Sequence, residues 1–481
     1  MAKHLTAEEK NLLRGVMAFS REKRVTLYIV GGFLRDLITG REKENRDIDF
    51  ALQKNAIAFG RALAKRLGAG FVILDKEHGC CRLVKKVLGR IYTLDFSDFR
   101  GPGVKEDLLH RDFTINTLAL PLKEPVFSGD WKKTVIDLYA GAKDIRSGVI
   151  RVVNKRSFDE DPLRILRAFS LAAIFSFKIE TQTLKLIVRK KNKLKEVSAE
   201  RVRDELFKIL QSANAFVYLK MLDELRLLEL IIPEVNMMRG MDQGPYHHLD
   251  ILEHSFESVR QLERIIRFTR NKQILAYLEE EVSYERKRRA LLKLGAFLHD
   301  IGKPRARRRR EGKLIFHGHE RVGRDIARDI ARRLRLSNDE SDSLQRMIFL
   351  HLRPGYLADN PVLSARARFR FFRDAHDQAI SVLLVSLADQ RSTRGPLTTR
   401  DSRASHEKLV AGLIREYFRA RKEKKLVRLV NGDDLIRKFK LEPSVLIGKI
   451  LSELEELQAI GKIKTKEEAL VAAAKMIPRK G

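Results

Sequence analysis

The hydrophobic period of this chain changes once, near Phe158. From Val25 to about Val153, short β-branched runs (Leu27 to Val30, Asp47 to Leu52, Phe71 to Leu74, Arg90 to Asp95) are separated by Gly-containing turns and helical stretches. Such alternation predicts an α/β unit. Beyond Phe158 the strand signal nearly vanishes, and Leu163, Leu166, Arg167 and Ser170 open a helical rhythm that runs to the end. At 481 residues the chain exceeds one core and suits three or four packed units. We therefore expect an α/β head over 1–150 led by an amphipathic helix (1–23), an all-α neck over 151–240, a His-rich helical domain over 241–400 and a helical tail over 401–481. A Pro-, Met- and Gly-rich break from Ile231 to Gly244 marks the end of the neck.

Charge narrows the partner. Lys and Arg number 96 against 64 Asp and Glu, a formal +32. Such a chain repels itself unless it meets a polyanion, and nucleic acid is the plainest one; the alternative is a host whose whole proteome is basic. The densest run, Lys303 to Lys313, reads as a basic loop, with Arg305, Arg307, Arg308, Arg309 and Arg310 as phosphate contacts. The two cysteines, Cys80 and Cys81, are adjacent and suit neither a structural disulfide nor a thiolate zinc site, as in a reducing compartment. No apolar run reaches the ~18 residues of a membrane span, and the N-terminus lacks the apolar stretch of a signal peptide. The expectation is a cytoplasmic protein without a membrane partner.

Asp47 and Asp49 lie two apart in a strand pattern, so their side chains share a face. Neighbouring carboxylates repel unless a cation lies between them; where nucleotides are handled, Mg²⁺ is the natural ion. Asp95, in another strand run, offers a third carboxylate. Upstream, Val30-Gly31-Gly32-Phe33-Leu34-Arg35-Asp36 reads as a strand, a paired-Gly turn and a helix start. Gly31 and Gly32 permit close backbone approach, the helix N-terminus offers N–H groups and Arg35 adds charge, together a triphosphate cradle. A lone Asp-x-Asp is often a solvated strand end and a lone Gly-Gly an ordinary turn. Their combination about 15 residues apart is the specific signal for two-metal phosphoryl transfer.

The run from Gly31 to Asp36, followed by Arg46 to Leu52, resembles the head of the class II, or bacterial-type, tRNA nucleotidyltransferases and related poly(A) polymerases. That resemblance implies a polymerase-β-like fold. His110 to Asn116 is similar to the family's second motif, which implies that Arg111 and Asp112 hold the ribose; His110 stands where a second Arg is usual. Asp137 to Gly141 resembles the hinge-like third motif, and Ser198 to Leu206 the one that closes the neck. Glu160-Asp161-Pro162-Leu163-Arg164 matches the family's base-reading motif, which implies that Asp161 and Arg164 read the Watson–Crick edge of the incoming base, with Arg167 supporting the same face. Spacing of i and i+3 puts Asp161 and Arg164 side by side on a helix, where an ordinary ion pair is the alternative. Only a short segment separates Phe96 from Arg111. Relatives that complete CCA often carry a longer flexible loop there, and relatives that add only CC carry a shortened one.

A second set follows. His254, the His299-Asp300 doublet, His319, His351 and Asp389 occur in the order of the HD metal-dependent phosphohydrolases, which this segment resembles. The resemblance implies a metal on His254, His299, Asp300 and Asp389, with His319 and His351 completing a second. Imidazole beside carboxylate suits a transition metal, whose bound water becomes a nucleophile near neutral pH. The alternative is a helical domain that helps to hold tRNA. The tail resembles that of HD-bearing tRNA nucleotidyltransferases, with Thr465 and Glu468 reading as a capping box. The whole implies a monomeric or homodimeric enzyme that adds C and A residues to the tRNA 3′ end from CTP and ATP, with Mg²⁺ as cofactor. The alternatives are a CC-adding enzyme or poly(A) polymerase of the same family, or an HD phosphohydrolase acting on RNA ends or nucleotides.

Overall fold

The computed structural model describes residues 5–41, 46–127, 129–360, 362–421 and 427–477. It forms two compact units, Met1–Ile209 and Leu210–Gly481. The expected neck of 151–240 is therefore divided. Its first helices stay with the α/β head, whereas the Ala215 N–H donates to Glu263 at 2.6 Å and Lys220 pairs with Glu253, which ties the later ones to the His-rich helices.

In the first unit, helix α1 (Ala7–Glu22) starts on a Thr6/Glu9 capping box and buries Leu13, Val16 and Phe19. Buried Glu9 also accepts an ion pair from Arg46 at 2.8 Å, which fastens α1 to the first residue of strand β2. The strands β1 (Tyr28–Val30), β2 (Arg46–Leu52), β3 (Gly70–Asp75), β4 (Cys80–Val87), β5 (Arg90–Asp98), β6 (Leu118–Pro121) and β7 (Ile136–Asp137) make one mixed sheet in the order β3-β4-β5-β2-β1-β6-β7. All pairings are antiparallel except β2 with β5.

Alternation along β2 and β5 sorts their side chains by face. Ile48 lies opposite Leu94 and Phe50 opposite Phe96, all four buried, the two rings stacked at 4.8 Å. Helix α3 (Ala56–Leu67) covers that face through Phe59, 5.5 Å from Phe96. The other face carries Asp47, Asp49 and Asp95. Beside them Ala51 packs with Val30, Ala119 and Leu108 of helix α4 (Val104–Leu109). The short segment between Phe96 and Arg111, where relatives often carry a longer flexible loop, thus contains a helix, anchored because Leu108 is fully buried. Helices α5 (Gly141–Ser147), α6 (Ser157–Glu160), α7 (Arg164–Phe175), α8 (Thr181–Lys190) and α9 (Ala199–Gln211) follow.

The second unit is almost entirely helical. Helix Ile251–Phe268 packs on Arg288–Leu298 and Ala379–Ser392, with Phe256 and Phe297 5.3 Å apart in their common core. The basic run is a helical turn, Lys303–Ala306, followed by a hairpin, Arg308–Arg310 with Lys313–Ile315, rather than a loop. The tail buries Val430, Leu435, Ile447, Ile450 and Leu454 in its own core, and its fully buried Glu456 pairs with Arg366 and Arg370. Thr465 caps Glu468 as expected, but the Glu468 carboxylate turns back to the Lys464 N–H at 2.6 Å, one residue before the cap. Among the described residues no helix is long and apolar enough to cross a membrane.

Candidate active site and metal centre

In the head, β1 ends at Val30, directly opposite Asp49, and the chain turns at Gly31 with φ of +70° into helix α2 (Gly32–Thr39). A Cβ at Gly31 would lie 2.6 Å from Asp49 Oδ2 and 3.2 Å from an Arg111 nitrogen. The first glycine is thus required twice, by its backbone angle and by the carboxylate against it. On its other side Asp49 lies opposite Asp95 in the parallel register, while Asp47, opposite Thr93, is exposed. Burial raises the pKa of Asp49, and Asp95 and Asp47 raise it further, against Arg111 and the Gly32 N–H. An acidic group held against its own charge in this way calls for a cation. Asp95 is engaged from the far side: Arg82 on β4 grips both its oxygens at 2.8 Å.

Arg35 departs from its expected role. It is buried, donating to Asp36 at 2.9 and 3.0 Å and to Asn116 at 2.6 Å, with its guanidinium 4.4 Å from the centre of the Phe175 ring. One turn into α2 it points to the interior, where the carboxylate next to it and Asn116 neutralise it. The cleft is lined instead by Gly31, Gly32, Asp49, Arg111, Asp112, Asn116, Asp161, Arg164 and Arg167.

Asp112 accepts from the Phe113 N–H at 2.7 Å, from Asn116 at 2.8 Å and from Arg167 at 2.7 Å. Burial works against its charge, but Arg167 and these hydrogen bonds hold its pKa below the usual carboxylate range. Arg164, nearly buried, donates to the His110 carbonyl at 2.6 Å and to Ser157 Oγ at 2.8 Å, so it locks the second motif to the start of α7. Asp161 does not pair with Arg164: its carboxylate is held by Arg201 of α9 at 2.8 and 3.2 Å. The i, i+3 argument failed because Asp161, extended at φ −149°, precedes the helix rather than belonging to it. Sequence reading missed Asp107, which accepts from Arg111 at 3.1 and 3.3 Å, as well as Asn116 and Arg201. Asn116, four residues after Asp112, was open to discovery by spacing; Arg201, forty residues from Asp161, was not.

In the second unit the six expected side chains do converge. His254 Nε2 is 3.0 Å from Asp389, His299 Nε2 is 3.2 Å from Asp300, and His319 Nε2 is 3.3 Å from the other Asp300 oxygen. His319 and His351 meet at 3.4 Å. The other ring nitrogens of His299, His319 and His351 each reach the carbonyl three residues back, at 2.8, 2.9 and 2.6 Å. These contacts turn Nε2 inward, as the atom each ring would offer to a metal. The ligand atoms of His254, His299 and Asp389, and those of His299, Asp300 and His351, each gather within 4.8 Å. His299 Nε2 and Asp300 Oδ2 are buried against each other at 3.2 Å, and Lys303 supplies the nearest cation to that oxygen. Burial alone would lower the His299 pKa, yet Asp300 and Asp389 push it to about 10, so positive charge is strongly favoured at this centre. Sequence reading missed Lys303, buried with its ammonium 2.7 Å from both Asp300 and Gln243.

Family models match four stretches: the poly A polymerase head domain over residues 27–151, the probable RNA and SrmB-binding site of polymerase A over 176–238, the HD domain over 251–394 and the tRNA nucleotidyltransferase domain 2 over 416–474. An A-adding tRNA nucleotidyltransferase of Deinococcus radiodurans is 30% identical over 452 residues, 92% of this chain and 93% of that one. A CC-adding tRNA nucleotidyltransferase of Thermus thermophilus is 30% identical over 449 residues, 92% and 91% of the two chains. Among solved structures, a CCA-adding enzyme with ATP aligns over 98% of this chain and 96% of its own, with a TM-score of 0.65 at 23% identity, a likeness of fold. With the poly(A) polymerase head and the HD domain in this order, the chain belongs to the bacterial-type tRNA nucleotidyltransferases.

Proposed function

We propose that this nucleotidyltransferase restores the CCA end of tRNA, adding C and A from CTP and ATP at the head cleft. The observation that carries the reading is the contact of Gly31 with Asp49, which joins the phosphate-side turn to the acidic face of the sheet. Asp47 and Asp49, with Asp95 behind them, would hold Mg²⁺, and the raised pKa of Asp49 fits that demand. Bound there, Mg²⁺ supplies Lewis-acid stabilisation of the charge on the transferring phosphoryl group. The chain's own groups do the rest. Backbone N–H groups at Gly31 and Gly32 and the Arg111 guanidinium receive the triphosphate. Asp112, kept ionised by Arg167, accepts from the ribose hydroxyls. Asp161 and Arg164 present an acceptor and donors to the base edge. In this assignment Arg35 positions α2 and touches no substrate.

Arg305 and Arg307 to Arg310 are proposed contacts for tRNA phosphates, four of them at or in an exposed hairpin whose strand Arg308–Arg310 is open throughout. The second centre is proposed to hold a transition metal on His254, His299, Asp300 and Asp389, with His319 and His351 beside it. The four-segment division (1–150, 151–240, 241–400, 401–481) remains our functional partition.

The test uses a tRNA transcript lacking CCA, Mg²⁺, and CTP and ATP separately and together, with gel sizing. Three added nucleotides, lost in Asp49→Asn, are expected. With both nucleotides supplied, growth that stops at two would replace the reading with CC addition; extension by one A of a CC-ended transcript alone, with the CCA-less transcript untouched, would replace it with A addition; a long ladder with ATP alone would replace it with polyadenylation. No extension would overturn it.

A further inference from the structure

A concavity of the second unit is used by neither centre. It lies among helices Ile251–Phe268, Ala379–Ser392 and Arg400–Ala420. Arg264, Arg394, Arg400 and Arg403 line it, and among the described residues none of the four makes an ion pair; Arg403 uses only its Nε, on the Thr399 carbonyl at 3.4 Å. At its edge the Phe268 ring is 72% exposed. Against its wall the carboxamide of Gln390 has both Oε1 and Nε2 buried and without any hydrogen-bond partner.

Each feature is costly alone. Clustered guanidinium groups repel, an open aromatic ring contacts water, and a buried unpaired amide has given up its solvation. One ligand class answers all three. A phosphate takes the guanidinium forks, a nucleobase stacks on a ring, and a donor–acceptor pair on a base edge matches a carboxamide. We propose that this concavity binds a phosphorylated nucleoside, with the base on Phe268, its edge on Gln390 and the phosphate among Arg394, Arg400 and Arg403. The unit takes that ligand from an RNA strand or as a free mononucleotide.

The test is binding, so it stands apart from nucleotide addition. The full chain is titrated into a fluorescein-labelled single-stranded decanucleotide and, separately, into a fluorescent AMP. Phe268→Ala, Gln390→Leu and the double variant Arg400→Ser/Arg403→Ser are compared with the parent, and thermal melting checks that each is folded. Phe268→Ala should weaken binding about tenfold, the size of one base-stacking contact. The double variant should lower the log–log salt slope for the decanucleotide by about 1–2. Loss for the decanucleotide alone makes RNA the source; loss for AMP alone makes it a free nucleotide. Two results overturn the proposal: affinities within twofold of the parent in all three variants, or loss in the arginine variant with Phe268→Ala and Gln390→Leu unchanged, which would reduce the concavity to a plain phosphate patch. The rate of addition at saturating tRNA and nucleotide is expected to be unchanged in Phe268→Ala, whichever way the binding falls.

Discussion

Replacing Gly31 with Ala adds one methyl group at the most confined point of the head. The added carbon would lie 2.6 Å from Asp49 Oδ2, and the backbone sits at φ +70°, ψ −140°, where an L side chain is strained. The strain costs about 1–3 kcal/mol. The contact is shorter than van der Waals separation by roughly 0.5–1 Å, so the carboxylate or the turn must move by that much. A displacement of about 1 Å at a reacting centre lowers turnover about 100-fold. We expect Gly31→Ala to lower the single-turnover rate of CTP addition about 100-fold and the melting temperature of the first unit by about 3–9 °C. Gly32→Ala is the control. Gly32 is the first residue of α2, and its Cβ would meet only the tip of Arg35, at 3.2 Å. Alanine is the better helix former there by about 0.5–1 kcal/mol, so activity should fall less than tenfold and stability should hold or rise. Quenched-flow incorporation of labelled CMP and differential scanning fluorimetry measure both. Equal rates for Gly31→Ala and the parent, or equal losses in the two variants, would refute the contact argument.

Arg167→Met removes the largest favourable charge at Asp112. Asp112 is held below its usual range, so its contribution is present above the unfolded carboxylate pKa of about 3.9 and is lost as pH falls through the lower folded value; with the Arg167 side chain 41% exposed, urea denaturation should show a loss of about 1–2 kcal/mol at pH 7 that shrinks toward pH 3. Adding Mn²⁺ or Co²⁺ after EDTA treatment should stabilise the second unit by about 2.7 kcal/mol at one hundred times the dissociation constant, read as a higher melting temperature, and His299→Ala should abolish the rise. Replacing Arg308, Arg309 and Arg310 together by Ser should leave melting unchanged and lower the salt slope of tRNA binding by about 2–3, read by filter binding over a salt series.

What could be read from the sequence follows from range. The change of period at Phe158 and the strand carrying Asp47 and Asp49 are local patterns, and the structure carries both; the HD set, spread from His254 to Asp389, was legible only through its resemblance to a known order of residues, and the structure brings its members together. Strand β4 escaped notice because Cys80 to Val87 mixes lysines with valines, although it pairs with both β3 and β5. The inward turn of Arg35 was illegible because it depends on Asn116, eighty-one residues away. The same is true of Asp95, whose partner Arg82 is set by the antiparallel register of β4 with β5. The basic run read as a loop because four consecutive arginines, Arg307 to Arg310, have little strand propensity; its hairpin is made by the Glu311-Gly312 turn, with both residues at positive φ.

The one parallel pairing in the sheet has a consequence for how the head assembles. β3, β4 and β5 join through short antiparallel hairpins, which close quickly because their partners are near in the chain. Pairing β2 with β5 must close a loop that holds helix α3 and that whole meander, since Asp49 and Asp95 are separated by 46 positions (95 − 49), so it is expected to follow them. The acidic face is therefore among the last features of the head to exist. Until that register is reached Asp95 is not held beside Asp49, and divalent cations lack the full three-carboxylate face. Metal binding then acts on the finished head alone, slowing its opening without speeding its formation.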